Sequence, residues 1–237
     1  GQTLFEMFAP MILYFVLYMM LITYGQSIGK VIIAEKASKL MELLLTSVKP
    51  YAVIMGKIMA MVAVAIMQFS IWIASGILGF VVGDRIAQAN NPEYDNLLID
   101  LIDLVKESGA GSAFSLGAAI TAVLVLFLGF TFYCIFVGQV TAFVGKAEEL
   151  SSLSGAFVLP MVISFFLAYF LPLLGTADWL MPILRYIPFT GAFLLPADVM
   201  LGNITIVETV IPIIILVAVS AIMVYTTGKV YKKKIFA

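Results

Sequence analysis

The side chains that could do chemistry in this chain are few. Its 237 residues include fourteen Asp or Glu, thirteen Lys or Arg, one cysteine and no histidine. Cys134 sits in the middle of an apolar run, so no disulfide framework, zinc set, Cys–His pair or Ser–His pair can be assembled. Hydrolytic catalysis of the usual kinds has almost no raw material, and no metal or organic cofactor is expected to bind. The run Gly25-Gln26-Ser27-Ile28-Gly29-Lys30 has the outline of a phosphate-cradling loop. It places three residues rather than four between its glycines, puts Val31 where a magnesium-binding Ser or Thr belongs, and follows no strand. The chain binds no nucleotide by that route and is not expected to be an enzyme. What stands out instead is a concentration of charge. Lys30, Lys36, Lys39, Lys49 and Lys57 are five of the thirteen basic residues, and all fall between Gly29 and Lys57.

That stretch reads as a short amphipathic helix over residues 34–49. Ile33, Ala37, Leu40, Met41, Leu44 and Val48 recur every three or four positions, with Glu35, Lys39, Glu42 and Thr46 on the other side. Glu35 precedes Lys39 by four residues, the favourable order for a helical ion pair. Pro50 ends the helix and holds Lys49 out of helical geometry. Such a helix lies on a bilayer or faces a partner protein. Its polar face mixes Glu35 and Glu42 with Lys36 and Lys39, whereas a lipid-surface helix is more uniformly basic.

The elements that position this stretch are membrane spans. The chain is 63% hydrophobic and 11% charged, with a mean hydropathy of +1.13; a soluble domain carries about 25% charged residues. Several runs exceed the ~20 apolar residues needed to cross a ~30 Å hydrocarbon core. They are continuous rather than alternating, which specifies helices and not a barrel. The expected fold is all-α: a polytopic membrane helix bundle forming one transmembrane domain over residues 1–237. Five full spans are predicted, near Phe8 to Ile33, Tyr51 to Val82, Phe114 to Val144, Leu153 to Leu174 and Ile206 to Tyr231. The bilayer is the solvent, and no nucleic-acid partner is expected.

Charge orients the bundle. The side bearing Lys30 to Lys57, Lys146, Lys229 and Lys232 to Lys234 has ten basic residues and four acids; the other has Arg85, Lys106, Arg185 and ten acids. By the positive-inside rule the first side is cytoplasmic, so the protein is expected in the plasma membrane with its C-terminus inside and residue 1 outside. The chain opens on Gly1 without the basic flank of a cleavable signal. An external start implies an earlier span, so a missing N-terminal segment is expected. Residues 84–112 form an external loop. Within it Asn96, Asp100, Asp103 and Glu107 share one helical face opposite Leu97, Leu101 and Val105, as in a helix lying in the interface with a solvated acidic stripe. Residues 175–204 are apolar but broken by Pro182, Pro188, Gly191 and Pro196. They predict a re-entrant pair of half-helices entering from outside, anchored at the interface by Arg185, Trp179 and Tyr186.

Polar side chains within the spans are few: Gln26, Ser27, Gln68, Ser70, Gln139 and Thr141. None is ionised, and the nearest carboxylate is Glu208 at the start of the last span, where it suits a helix N-terminus. An ion-coupled secondary transporter usually carries an intramembrane charge, so that class is disfavoured. Gly25/Gly29 and Gly79/Gly83 have the spacing that lets helices approach closely, within the bundle or at a dimer face.

The segment Ala34-Glu35-Lys36-Ala37-Ser38-Lys39-Leu40-Met41-Glu42-Leu43-Leu44-Leu45-Thr46-Ser47-Val48-Lys49-Pro50, followed by Gly56-Lys57, resembles the signature of type-2 ABC-transporter permeases. It is most similar to the NatB-like branch of sodium-efflux and related exporters. Arg185, Pro188, Phe189 and Phe193 resemble the family's R-x-x-P-F-x-x-x-F stretch. The resemblance implies a permease whose first cytoplasmic segment is a coupling helix seated on an ABC ATP-binding subunit, which carries the ATP and magnesium. It implies polar contacts from Glu35, Lys36, Lys39 and Glu42, with Leu40, Met41, Leu43 and Leu44 filling a groove. Lys146, Glu148 and Glu149 offer a second cytoplasmic contact. It further implies half-helices before the last span, a second permease copy in a homo- or heterodimer, and an absent first span and external domain. The function expected is export of sodium, a peptide, a drug or a lipid. The alternatives are a non-transport immunity or sensor component on the same scaffold, and a secondary transporter.

Overall fold

The computed structural model describes residues 4–38, 47–91, 94, 96, 116–143, 149–174 and 179–235, and every regular element among them is helical. Helix α1 (Leu4–Met20) passes through one π-helical turn (Leu21–Gly25) into α2 (Gln26–Ala37). There follow α3 (Pro50–Asn90), α4 (Leu116–Ala142), α5 (Glu149–Leu174), α6 (Met181–Tyr186), α7 (Pro188–Met200) and α8 (Ile206–Ile235). Five stretches are long and apolar enough to cross a membrane: Pro10–Glu35, Pro50–Asn90, Gly117–Ala142, Gly155–Leu174 and Ile206–Val230. They match the five expected spans, so the chain is a polytopic helical bundle.

The second span is longer than expected. Residues 84–90, assigned above to the external loop, continue α3 to a length of 41 residues, roughly 60 Å at 1.5 Å per residue and about twice the hydrocarbon thickness. No proline lies between Gly83 and Asn90 to stop the helix earlier, and Pro92 follows just past its end. Local bonds support it: Gln88 Nε2 donates to Asp84 Oδ2 at 3.0 Å and Asn90 Nδ2 to the Ile86 carbonyl at 2.8 Å. At its other end Lys49 is extended (φ −65°, ψ 138°) and Pro50 opens the helix, the position where a missing N–H does no harm. Asn96 donates to Asp84 Oδ1 at 2.6 Å; the rest of the expected interfacial helix, residues 97–107, lies outside the described residues.

The centre of the molecule is the contact between α4 and α7, and α7 also touches α1, α5, α6 and α8. Phe130, Phe132, Tyr133 and Cys134 of α4 and Phe193 and Leu194 of α7 are fully buried. Gly129 makes that approach possible: a Cβ there would lie 2.9 Å from the Ala192 Cβ and 3.0 Å from its carbonyl oxygen. The glycine pairs picked out by spacing behave differently. A Cβ on Gly25 would be in ordinary contact with Val137 at 3.5 Å, but Gly79 and Gly83 face nothing within 4 Å. Among the described residues, close packing within the bundle is therefore not the role of that second pair.

Five of the six polar side chains expected along the spans are hydrogen-bonded; the sixth, Gln26, is exposed. Tyr24 bonds Gln68, Gln139 Nε2 donates to Thr226 Oγ1 at 3.0 Å, and the hydroxyls of Ser27, Ser70 and Thr141 donate to carbonyls one turn back. In lipid each unsatisfied group would cost several kcal/mol; the Tyr24–Gln68 and Gln139–Thr226 bonds join different helices, while the hydroxyl bonds stay within one helix.

Candidate functional site

The polar centre of the molecule is the α6–α7 hairpin. Ile187 is extended (φ −82°, ψ 118°) and Pro188 opens α7, so the chain must break between the two helices and leave carbonyls without helical partners. A neighbouring hydroxyl satisfies one of them: Thr190 Oγ1 donates to the Leu184 carbonyl at 2.6 Å. Tyr133 OH, from α4, adds a bond to the Phe189 carbonyl in the first turn of α7 at 2.9 Å. Gly191 passes so close to the Arg185 carbonyl that a Cβ would sit 2.4 Å from its oxygen. Phe189 and Phe193, four residues apart on one face, enter a cluster of aromatic rings. The Phe189 ring lies edge-on to Phe132 at 5.0 Å and Phe136 at 4.9 Å; Phe193 meets Tyr133 at 5.7 Å and Phe165 at 6.2 Å. Such edge-to-face pairs stabilise beyond the area they bury.

Arg185 does not simply anchor the hairpin at an interface. Its carbonyl lies beside Gly191 at the start of α7, yet its Nε donates to Asp198 Oδ2 at 2.7 Å, about 10 Å further along that helix. The side chains are 18% and 6% exposed. The second Asp198 oxygen accepts from Asn203 Nδ2 at 3.0 Å. Backbone geometry puts Asn203 there. Gly202, at φ 72°, closes α7 by sending its N–H to Val199 and that of Asn203 to Asp198, the paired bonds of a helix ending in a left-handed residue. The network borders a cavity of about 380 Å³ shared by Tyr14, Tyr169, Met181, Arg185, Asp198 and Asn203.

Asp198 is the functional candidate that reading the sequence missed. Spacing points to Glu208 as the acid nearest the spans, but Glu208 is exposed. It caps α8 through Thr205, whose N–H reaches Glu208 Oε2 at 2.8 Å while Glu208 N–H returns to Thr205 Oγ1 at 3.2 Å. Asp198 is the buried one. Its only signal in the sequence was a lone acid between Ala197 and Val199 in an apolar run. With both oxygens bonded it staples the hairpin, and it gives no support to an ion-coupled carrier.

At the opposite, basic end, Glu35 near the close of α2 bonds Lys57 in the second turn of α3. Ile32, Ile54 and Ile58 are buried beside them. The pair joins the two helices that flank the expected coupling segment. Lys36 lies in α2 and Glu149 opens α5. Lys39, Leu40, Met41, Glu42, Leu43, Leu44, Lys146 and Glu148 lie outside the described residues. No group of His, Cys, Asp or Glu suited to a metal occurs among the described residues.

No curated protein and no solved structure shows significant similarity to the chain. The family model described as "ABC-2 family transporter protein" matches residues 2–228, which takes in all five spans, the α6–α7 hairpin and the segment between α2 and α3. The chain therefore belongs to the ABC-2 family of transporter proteins, as a membrane permease of an ABC transporter.

Proposed function

We propose that this permease is the membrane-spanning subunit of an ATP-driven exporter of the NatB-like branch, acting as a homo- or heterodimer in the plasma membrane. Family membership implies an ABC ATPase partner in general terms; in our reading that partner holds ATP and magnesium and docks on residues 34–49. The basic end of the bundle faces the cytoplasm, C-terminus included, by the positive-inside rule. The Glu35–Lys57 ion pair is the observation that carries this reading. It ties α2 to α3 at the base of the docking segment, so a displacement of that segment by the closing ATPase moves both spans together. Glu35 thus faces inward as a strut, leaving Lys36, Lys39 and Glu42 for polar contact with the ATPase, and Leu40, Met41, Leu43 and Leu44 for its groove. Lys146, Glu148 and Glu149 form a second contact. The cargo is sodium, a peptide, a drug or a lipid.

The test is co-purification and transport. Glu42→Arg and Leu44→Asp should each abolish recovery of the ATPase with the permease while leaving the permease folded. If both variants retain the ATPase and transport normally, residues 34–49 are not the coupling element. Stimulation of ATP hydrolysis in the reconstituted complex by sodium, amphipathic peptides, drugs and lipids, compared side by side, identifies the cargo.

A further inference from the structure

A second cavity, of about 670 Å³, lies between α3, α4 and α8 at the basic end. Its walls are apolar: Met55 from α3, Ile135 from α4, and Val217, Ala221 and Val224 from α8. The one hydroxyl of α8 within it outside Tyr225, that of Ser220, is already spent on the Leu216 carbonyl at 2.7 Å. The cavity follows α8 from Val217 to Lys229, about 18 Å at 1.5 Å per residue, close to the ~15 Å depth of one leaflet of a ~30 Å core.

Lys229 lines its mouth, and Lys49 lies just outside it, before the lining Pro50 and Tyr51. Lys229 Nζ lies 4.5 Å from the centre of the Tyr225 ring and Lys49 Nζ 5.9 Å from that of Tyr51. Both rings line the cavity. Gly228 brings the two lysine-bearing helix ends together, since a Cβ there would be only 3.4 Å from the Tyr51 Cβ. Each ammonium rests on an aromatic face, and among the described residues neither is neutralised by a carboxylate. Lys232, Lys233 and Lys234 follow on the same helix.

We propose that this cavity binds one anionic phospholipid, with an acyl chain along α8 and the phosphate between Lys49 and Lys229. An apolar slot one leaflet deep, flanked at its mouth by two unneutralised ammonium groups and interfacial tyrosines, matches an anionic lipid in length, polarity and charge. Only the naming of the leaflet as cytoplasmic rests on the sidedness proposed above; the pocket chemistry does not.

The full-length permease, without ATP, is placed in nanodiscs of equal phosphatidylcholine and phosphatidylglycerol. Each lipid in turn carries a photoactivatable acyl chain. Phosphatidylglycerol should label residues 217–229 in preference to phosphatidylcholine. Lys49→Gln and Lys229→Gln should each weaken that preference, by about fivefold per charge removed, and Ala221→Trp should abolish labelling by filling the slot. Excess glycerol phosphate should not compete. Equal labelling by the two lipids, indifference to both lysine substitutions, or displacement by glycerol phosphate would overturn the proposal. So would efficient cross-linking of two Ala221→Cys copies through the slot, which would make a second permease its occupant. The readout needs neither ATPase nor transport, so failure of the exporter reading leaves it intact.

Discussion

Helices α7 and α3 are both apolar, and they occupy opposite environments. Helix α7 has 13 residues, about 20 Å, and is buried throughout from Thr190 to Val199. Helix α3 has 41 residues, of which only Ile54, Ile58, Val62 and Ala65 are buried. In water that inversion would be unstable, because a long apolar helix would seek the core. In a bilayer the tails are as apolar as leucine, so hydrophobicity does not drive helix against helix. What draws α7 inward is the broken backbone at its start and its charge: a helix too short to span, beside the freed carbonyls of α6 and carrying the Arg185–Asp198 ion pair, must be covered by protein. Helix α3 satisfies its own backbone and can face lipid along most of its length.

This contrast can be broken at its strongest point. Arg185→Ala should destabilise the folded permease by about 3–5 kcal/mol, because it leaves Asp198 buried and unpaired. The double change Arg185→Met with Asp198→Leu should recover most of that loss, read by unfolding in mixed micelles. If the single change is silent, the pair is not what holds α6 to α7. Packing gives the next largest effect. Gly129→Ala forces a methyl to 2.9 Å from the Ala192 Cβ and 3.0 Å from its carbonyl oxygen, and Gly191→Ala to 2.4 Å from the Arg185 carbonyl oxygen; each should cost about 1–3 kcal/mol. The smallest effects belong to α3. Ile77 and Leu78 are largely exposed, and alanine at either should change stability by less than about 0.5 kcal/mol. A loss comparable to that at Gly129 would mean that another protein surface covers α3, and the comparison would have to be redrawn.

Several parts of this arrangement were legible in the residues. Continuous apolar runs located the spans to within a few residues, since a span must satisfy its backbone internally and has one permitted length range. Pro182 and Pro188 marked where new helices had to start, and α6 and α7 meet at Ile187 as that pattern suggests; the breaks expected at Gly191 and Pro196 do not occur, since α7 runs unbroken from Pro188 to Met200 with both inside it. Pro50 likewise marked the extended Lys49. The continuation of α3 past Val82 was not legible, because residues 84–90 carry polar side chains that suit a loop and an exposed helix equally well, although Pro92 marks where such a helix must end.

Partnerships between distant residues were the other gap. Glu35 has a helical neighbour at Lys39 by spacing, but among the described residues its contact is with Lys57 of α3. Nothing in local periodicity distinguishes these two lysines. Asp198 was passed over because thirteen residues and a helix break separate it from Arg185, and Asn203 reaches it only through the left-handed turn at Gly202.

The sequence by itself determined the class of molecule: a helical bundle with five spans, a basic end and an interrupted stretch before the last span. Those properties follow from composition and period along one chain, against a solvent of fixed thickness. Only the tertiary structure decided which helix is core and which faces lipid. It also decided which glycine is an approach point, with Gly129 tight and Gly79 open, and that the buried carboxylate is a staple. In a membrane these choices turn on close packing and polar satisfaction between segments, quantities that hydropathy does not encode.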